Sequence, residues 1–453
     1  MKKSCILLIV LLLVLAHGGC AKENNGILEA PEGKTLQSPG TSPDSGEKIP
    51  DLDSGPVPLT MMVWGDTALY EEINGILFDT KPELKDKISI QVLIGGGGDA
   101  DIAKKIRLSV AAGDVLPDMI RLNYTQLPEF AHAGLLENVQ RFTKAYKENI
   151  MPKALEIMKY NGEILAFPQE VKAKIWYYRK DVFEACGIDV KSVKTLDDFL
   201  KVAALVNQKY PHSYIENYGT PSSTYDLMMM LTATGGAFAD SKGNYQLTTD
   251  PGVRKAFENL YKLNKSTFLL NIPDWTTDWK EAFSNDALVS QLSGSWLKQH
   301  LIEWLPEQAG LWNSTVFPEE IGIGSEAGAG IWVIPKNAAH MEQAGEVMAT
   351  LSYDEEVRRR IFDFNGWIPP LKSVAEDPHY LAQHPFFSES LVPAYLEAMN
   401  NLKVYPFNPS SSQEIAIVIQ YLDKYLNGLM TLDEALQAAQ EDLIKQIGNP
   451  YDF

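Results

Sequence analysis

Residues 161–199 read NGEILAFPQEVKAKIWYYRKDVFEACGIDVKSVKTLDDF, and the fold is decided there. The first part is rich in β-branched and aromatic residues and is interrupted by one proline, Pro168. It predicts a strand over residues 164–167 that enters a crossing, then a second strand over 175–178. Lys180 and Asp181 open a short apolar helix ending at Gly187. Thr195, Leu196, Asp197 and Asp198 announce another. The threonine oxygen can cap free N–H groups, and the acids suit the positive end of a helix. A strand pair about a third of the way along, between two α/β-looking blocks, marks a hinge.

Upstream, residues 59–64 (LTMMVW) form a compact apolar strand followed by Gly65 and Asp66. A helix is expected over 68–80. In ISIQVLI, residues 88–94, Ile88, Ile90 and Val92 recur at period two, as in a strand. The tetraglycine 95–98 is a loop ahead of a helix in which Ile102, Ile106 and Val110 share one face. Residues 113–121 hold a turn and a short third strand. Strand, helix, strand, helix, strand is the doubly wound pattern built on a parallel sheet. Downstream the alternation resumes. One helix starts at Asp250 and Pro251, with aspartate as cap and proline in the first helical position. Capping boxes at 352–355 (SYDE) and 431–434 (TLDE) start two more, the last running to about Ile447. Residues 330–335 (GIWVIP) read as a strand and 366–370 (GWIPP) as a second crossing. There is no internal repeat.

With 453 residues, 45% of them apolar, the chain can bury a sizeable core in two or more lobes. A formal net charge of −19 argues against nucleic acid, whose phosphates would be repelled. Simple solubility accounts for the acidity. Lys2 and Lys3 precede an apolar run, residues 6–16, too short for a bilayer, which needs roughly 20 residues. This is an export signal, residues 1–19. It ends in His17, Gly18, Gly19 and Cys20, which resembles the lipobox of bacterial lipoproteins, where the cysteine carries lipid. His17 departs from the apolar residue usual there, and an ordinary secretory signal is the alternative. Residues 20–58, rich in Pro, Gly, Ser and acids, read as a disordered tether with an end-to-end distance of about 35 Å. Cys5 leaves with the signal and Cys20 carries lipid, so Cys186 has no disulfide partner and reads as a small buried hydrophobe. The lack of a later long apolar run excludes a membrane-spanning channel or pump.

Several chemistries are absent. The tetraglycine lacks the Gly-Lys-Ser/Thr ending of a phosphate loop. The histidines are scattered, with no His-Glu-x-x-His and no Cys-x-x-Cys, so zinc has little support. There is no Gly-x-Ser-x-Gly elbow, and no local motif singles out a carboxylate pair. No cofactor is expected. What the sequence does hold is aromatics beside small polar residues at expected strand ends and loops. They are Trp64 with Asp66, Arg121 with Asn123, Ser222 with Tyr225, Trp275 and Trp279 flanking acids, Gly294-Ser295-Trp296, Trp367, and Phe407 before Asn408. Ligands bind at the carboxyl ends of strands in doubly wound sheets. Flat rings can stack on the C–H faces of a sugar, while Asp, Asn, Glu or Arg hydrogen-bond its hydroxyls. Core packing is the alternative for each tryptophan.

The quoted stretch, with residues 283–296 (FSNDALVSQLSGSW), 327–336 (AGAGIWVIPK) and 366–369 (GWIP), resembles the carbohydrate-binding group of extracellular solute-binding proteins of bacterial ABC importers, the group that includes maltose-binding protein. The likeness covers nearly all of the folded part, 59–453. Arg179 stands where the family usually has asparagine. The resemblance implies two doubly wound α/β lobes of the periplasmic-binding-protein type II, joined by crossing strands. One lobe would hold 59–170 and 330–367, the other 171–329 and 368–453. It implies a lipid-anchored monomer at the outer face of the cell membrane, passing a sugar or oligosaccharide to permease subunits. Trp64, Asp66, Arg121 and Asn123 would face the cleft from the first lobe, and Lys172 from the hinge. Ser222, Tyr225, Trp279, Trp296 and Phe407 would line the second lobe. Gly330 would let backbone approach the ligand, and Trp367 would sit in a crossing. An exported glycoside hydrolase or lyase, and a ligand sensor without transport, are the rival readings.

Overall fold

A computed structural model describes residues 55–170, 172–218, 224–322 and 329–452. The strands are β1 (Val57–Trp64), β2 (Ile88–Gly96), β3 (Met119–Asn123), β4 (Lys159–Tyr160), β5 (Glu163–Ile164), β6 (Phe167–Pro168), β7 (Ile175–Arg179), β8 (Ser290–Ser293), β9 (Trp312–Thr315) and β10 (Gly330–Val333). They build a five-stranded sheet in the order β2-β1-β3-β10-β6, a three-stranded sheet in the order β8-β7-β9, and the small pair β4-β5.

In the first sheet β1 runs parallel to β2 and β3, as the strand–helix alternation predicts. β1 sits between those two, so an uninterrupted apolar run suits it better than an alternating one. β10 enters antiparallel between β3 and β6, pairing Gly330 with Asn123 and Trp332 with both Arg121 and Phe167. In the second sheet β7 pairs antiparallel with β8 and with β9. Parallel bridges from Tyr214 to Leu288 and from Asn217 to Leu270 lie outside the named strands. The second lobe therefore repeats the first: parallel-bridged segments beside one antiparallel crossing strand, β7, as β10 is in the first sheet.

The quoted stretch spans the passage from one sheet to the other. Asn161 and Gly162, with φ of 49° and 84°, turn the β4-β5 hairpin. The strand expected over 164–167 is divided: Ile164 ends that hairpin, and Phe167 and Pro168 join the first sheet. Residues after Pro168 cross to β7. The helix Lys180–Ala185 follows, then Leu196–Lys209, whose capping box of Thr195 and Asp198 forms as read. Asp66 caps the helix Thr67–Thr80, accepting from Ala68 N at 2.9 Å. In the helix Asp99–Ala112, Ile102 and Ile106 are buried, while Val110, in the last turn, is exposed. The box expected at 352–355 is corrected: Ser352 is buried near the end of the helix Met341–Tyr353. Asp354 caps the next helix, Glu355–Asn365, by accepting from Val357 N at 3.1 Å. The helix Leu432–Gln446 starts at its predicted box. Past Trp367, the chain stays beside the first sheet's layer for several residues, with Leu371 bridged to Ile150 and Lys372 N donating to Asn149 O at 2.7 Å.

Two apolar cores result. One gathers β1, β3, β10 and the helices Thr67–Thr80 and Met341–Tyr353. The other gathers Trp176, Phe183, Phe199, Phe257, Leu422 and Leu436. No helix among the described residues is long and apolar enough to cross a membrane. Trp176 anchors the second core. It is fully buried, donates from Nε1 to Ser290 Oγ at 3.0 Å, and meets the rings of Phe183, Phe199 and Phe317 at 5.4–5.8 Å. Trp176→Ala is expected to cost about 3–5 kcal/mol, a cavity plus lost transfer energy. Urea unfolding measures it, and a loss below about 1 kcal/mol would show that the ring does not anchor this core.

Candidate functional site

A cavity of about 940 Å³ is walled by both sheets and by the chain that crosses between them. From the first sheet come Trp64, Asp66 and Arg121, with Asp99 from the following helix. Gly65, at φ 80°, turns the chain out of β1 so that Trp64 and Asp66 both reach the wall. Arg121 is buried on β3. Its guanidinium lies 4.6 Å from the Trp64 ring centre, donates from Nε to Gln169 Oε1 at 3.3 Å, and is paired through Nη1 with Asp99.

The crossing supplies Gln169, Lys172 and Lys174. Lys172 Nζ lies 2.9 Å from Glu170 Oε1, and Ser295 Oγ donates to Glu170 Oε2 at 3.3 Å. Arg358, on the helix Glu355–Asn365, is buried nearby. Burial pulls its guanidinium down to about 10, against the opposing charge of Glu170.

The second lobe supplies two kinds of surface. One is polar: Lys174, Glu216, Asn217, Tyr218, Asp274 and Gln291. Leu292 N donates to Glu216 Oε2 at 2.7 Å, and Gln291 Nε2 donates to Glu216 Oε1. Asn217 Nδ2 donates to Asp274 Oδ1 at 2.6 Å. Burial pushes the Glu216 carboxyl well above its usual range, against the Leu292 hydrogen bond and the charge of Lys174. Burial raises Asp274 too, while the Asn217 hydrogen bond opposes it. The other surface is aromatic. The Trp275 ring lies 4.8 Å from that of Trp296 with 34° between their planes, and 5.6 Å from His300 edge to face. His300 stacks on Trp304 at 4.7 Å. Burial lowers the His300 pKa, favouring the neutral ring. Trp275 is 65% exposed and holds φ at 65°, an uncommon conformation for a bulky residue.

Six side-chain atoms of wall residues are buried with no hydrogen-bond partner among the described residues: Trp64 Nε1, Tyr218 OH, Trp279 Nε1, Gln291 Oε1, His300 Nδ1 and Asn365 Nδ2. Such groups are costly to leave unpaired, so their gathering in one wall points to a polar occupant. No group of three His, Cys, Asp or Glu that could hold a metal ion occurs among the described residues.

Of the residues singled out from sequence, Trp64, Asp66, Arg121, Lys172, Tyr225, Trp279, Trp296 and Trp367 share this wall. Ser222 lies outside the described residues. Asn123, Gly330 and Phe407 are placed elsewhere. Asn123 is buried as a cap, its Oδ1 accepting from Thr125 N at 3.1 Å. The space beside Gly330 belongs to the protein itself, since a Cβ there would fall 2.0 Å from Gln169 Oε1. Phe407 packs between Tyr124 and Tyr405, with ring centres at 5.2 and 4.8 Å. Sequence reading passed over His300, which follows Trp296 at i+4 on one helical face and could have been found that way. Glu216, Asn217 and Asp274 come from irregular segments that carry no such signal.

The profile of a family described as bacterial extracellular solute-binding proteins matches residues 82–387. A protein of Halalkalibacterium halodurans named arabinooligosaccharide-binding protein is 23% identical over 359 residues, covering 74% of this chain and 78% of that one. Among solved structures, an ABC transporter associated binding protein of B. animalis subsp. lactis in complex with β-1,6-galactobiose is 20% identical with a TM-score of 0.71. The match covers 87% of this chain and 98% of that one. The sugar-binding protein MalE of Xanthomonas citri gives 19% identity and a TM-score of 0.70 over 85% of this chain and 96% of its own. These structures share the two-lobed fold.

Glu216 offers a test of the wall's electrostatics. A carboxyl raised in the folded state adds stability below its unfolded pKa and loses it as pH rises through the folded value. In Glu216→Gln that loss disappears, and Gln291 can turn its unpartnered Oε1 toward the new amide. The urea midpoint of the variant, relative to wild type, is expected to climb as pH rises above the usual carboxylate range. A difference independent of pH would show that this carboxyl ionises without penalty.

Proposed function

This chain belongs to the bacterial extracellular solute-binding proteins, and we propose that it captures a sugar or oligosaccharide in the cavity between its lobes and hands it to the permease of an ABC importer. The observation that carries the reading is the pairing of surfaces in one wall. Trp275 and Trp296 offer flat apolar faces, and unpartnered donors and acceptors stand beside them. A sugar presents C–H faces and hydroxyls in just that combination. A cavity of about 940 Å³ has room for more than one ring. The names of the relatives, for arabinooligosaccharides and for a bound galactobiose, support the same class.

In this reading Trp296, Trp275 and Trp279 stack or bond from the second lobe, with Tyr225. Trp64, Asp66 and Arg121 bond from the first, Lys172 from the crossing, and Trp367 from the far side. Asn123, Gly330 and Phe407 support the wall from behind. The ligand bridges the lobes and shifts the population toward the closed form, which the permease recognises. In this reading residues 59–170 with 330–367 make one lobe, and 171–329 with the carboxyl-terminal helices the other. The protein acts as a monomeric receptor without turnover, held at the outer face of the membrane by lipid on Cys20.

Calorimetry with neutral gluco-, galacto- and arabino-oligosaccharides tests the central claim. Binding heat and a raised melting temperature with at least one of them are expected, and silence across the panel would sink it. With that sugar, Trp296→Ala should raise Kd more than about tenfold while the circular dichroism stays unchanged. An unaltered Kd would assign Trp296 to packing alone. For the anchor, Cys20→Ala is expected to move the protein from the membrane fraction into the soluble one. Retention in the membrane fraction would remove lipid from the account.

A further inference from the structure

We propose that the cavity admits neutral or cationic glycans and rejects acidic ones, such as oligosaccharides of uronic acids; the inference rests on the carbohydrate reading above. Among the described residues, six carboxyl groups line the cavity, those of Asp66, Asp99, Glu216, Asp226, Asp274 and Glu303, against three cations, Arg121, Lys172 and Lys174.

Each of the three cations already faces an acid. Arg121 is paired with Asp99, gives its Nε hydrogen to Gln169, and lies over the Trp64 ring. Lys172 is held by Glu170 at 2.9 Å. Lys174 is buried, with Nζ 3.7 Å from Met229 Sδ, and its charge acts on Glu216 and Asp274. A carboxylate brought in by a ligand would therefore lose its water among carboxyl groups, with every lining cation already set against one of them. In a partly enclosed site that repulsion is screened far less than in bulk water.

Hydroxyls meet a different surface. Tyr218, Trp279 and Gln291 are each more than nine-tenths buried and line the cavity. Each has an uncharged polar atom without a partner among the described residues: a phenol, an indole N–H and an amide oxygen. These groups can pair with hydroxyls and carry no charge to neutralise a carboxylate. Faces of tryptophan attract cations as well as C–H groups, so an amino sugar is not penalised.

The experiment is a matched comparison by calorimetry on the full chain. Neutral oligosaccharides of glucose and galactose are set against oligomers of glucuronate and galacturonate of equal length and linkage, with a glucosamine oligomer as the cationic arm. The acidic member of a pair should bind at least about tenfold more weakly than its neutral counterpart, and the cationic one no more weakly. In Asp274→Asn and, separately, in the exposed Glu303→Gln, the gap should narrow severalfold; a gap unchanged in both folded variants overturns the proposal. Acidic ligands binding as tightly as neutral ones would overturn it while leaving the carbohydrate reading intact. If no sugar of any charge binds, the carbohydrate reading falls and this inference falls with it.

Discussion

The insertion of β10 between β3 and β6 is the constraint on which the rest of the molecule depends. The chain leaves the first sheet after β6, builds β7, β8 and β9 in the second, and then returns as an antiparallel strand inside the first, between β3 and the edge strand β6. The register of that return places Trp332 across from Arg121 and Gly330 across from Asn123. It also leaves room for Gln169 only because residue 330 has no Cβ. A slip by one residue would exchange the two faces of β10. It would push a side chain into Gln169 and take away the support behind Arg121. The hinge, the first-lobe wall and the arginine in it are thus one geometric decision.

Charge is handled at the crossing by pairing. Glu170 is almost fully buried, and it meets Lys172, Ser295 and the field of Arg358. Taking such groups out of water is expensive, and their mutual attraction offsets the expense only when the geometry is good. Their contribution is therefore less to net stability than to fixing where the crossing lies. Ser295 comes from the segment after β8 and Arg358 from a helix packed on the first lobe, so one carboxylate takes its partners from both sides. Arg179, which departs from the family's usual asparagine, is settled in the same way, by pairing with Asp181 and Asp286.

Local signals carried most of the fold. The apolar run of β1, the period-two pattern of β2 and the boxes at Thr195 and Thr431 all mark elements that the structure contains. They succeed because caps and burial periodicity are set by residues within a few positions of one another. The 352–355 box misled because Ser352 and Asp354 are both competent caps, and only the packing of the preceding helix decides between them. The pairing of the second sheet was hidden because its strands are far apart in sequence: β7 meets β8 and β9 after more than a hundred residues. The cavity was half legible. Tryptophans at strand ends point to it, since an aromatic beside glycine or serine is conspicuous. Glu216, Asn217 and Asp274 are ordinary surface-type residues in irregular segments, and only the tertiary fold buries them side by side.

Trp275 shows why such a wall cannot be read residue by residue. A tryptophan in the left-handed region is strained by about 1–3 kcal/mol, and leaving most of its ring in solvent forgoes apolar burial as well. Neither cost is recovered within the segment 272–276 itself. Thr276 caps the helix that follows, accepting from Trp279 N at 3.2 Å, and so fixes where the strained residue sits. Trp279, buried against Trp304 and Phe283, then holds that helix in place, leaving Trp275 beside Trp296 and His300. The buried tryptophan is the foundation, and the exposed one the face turned to the cavity. Packing and exposure to the cavity are therefore not rival roles for these residues, because the aromatic platform exists only while the ring beneath it is fully packed.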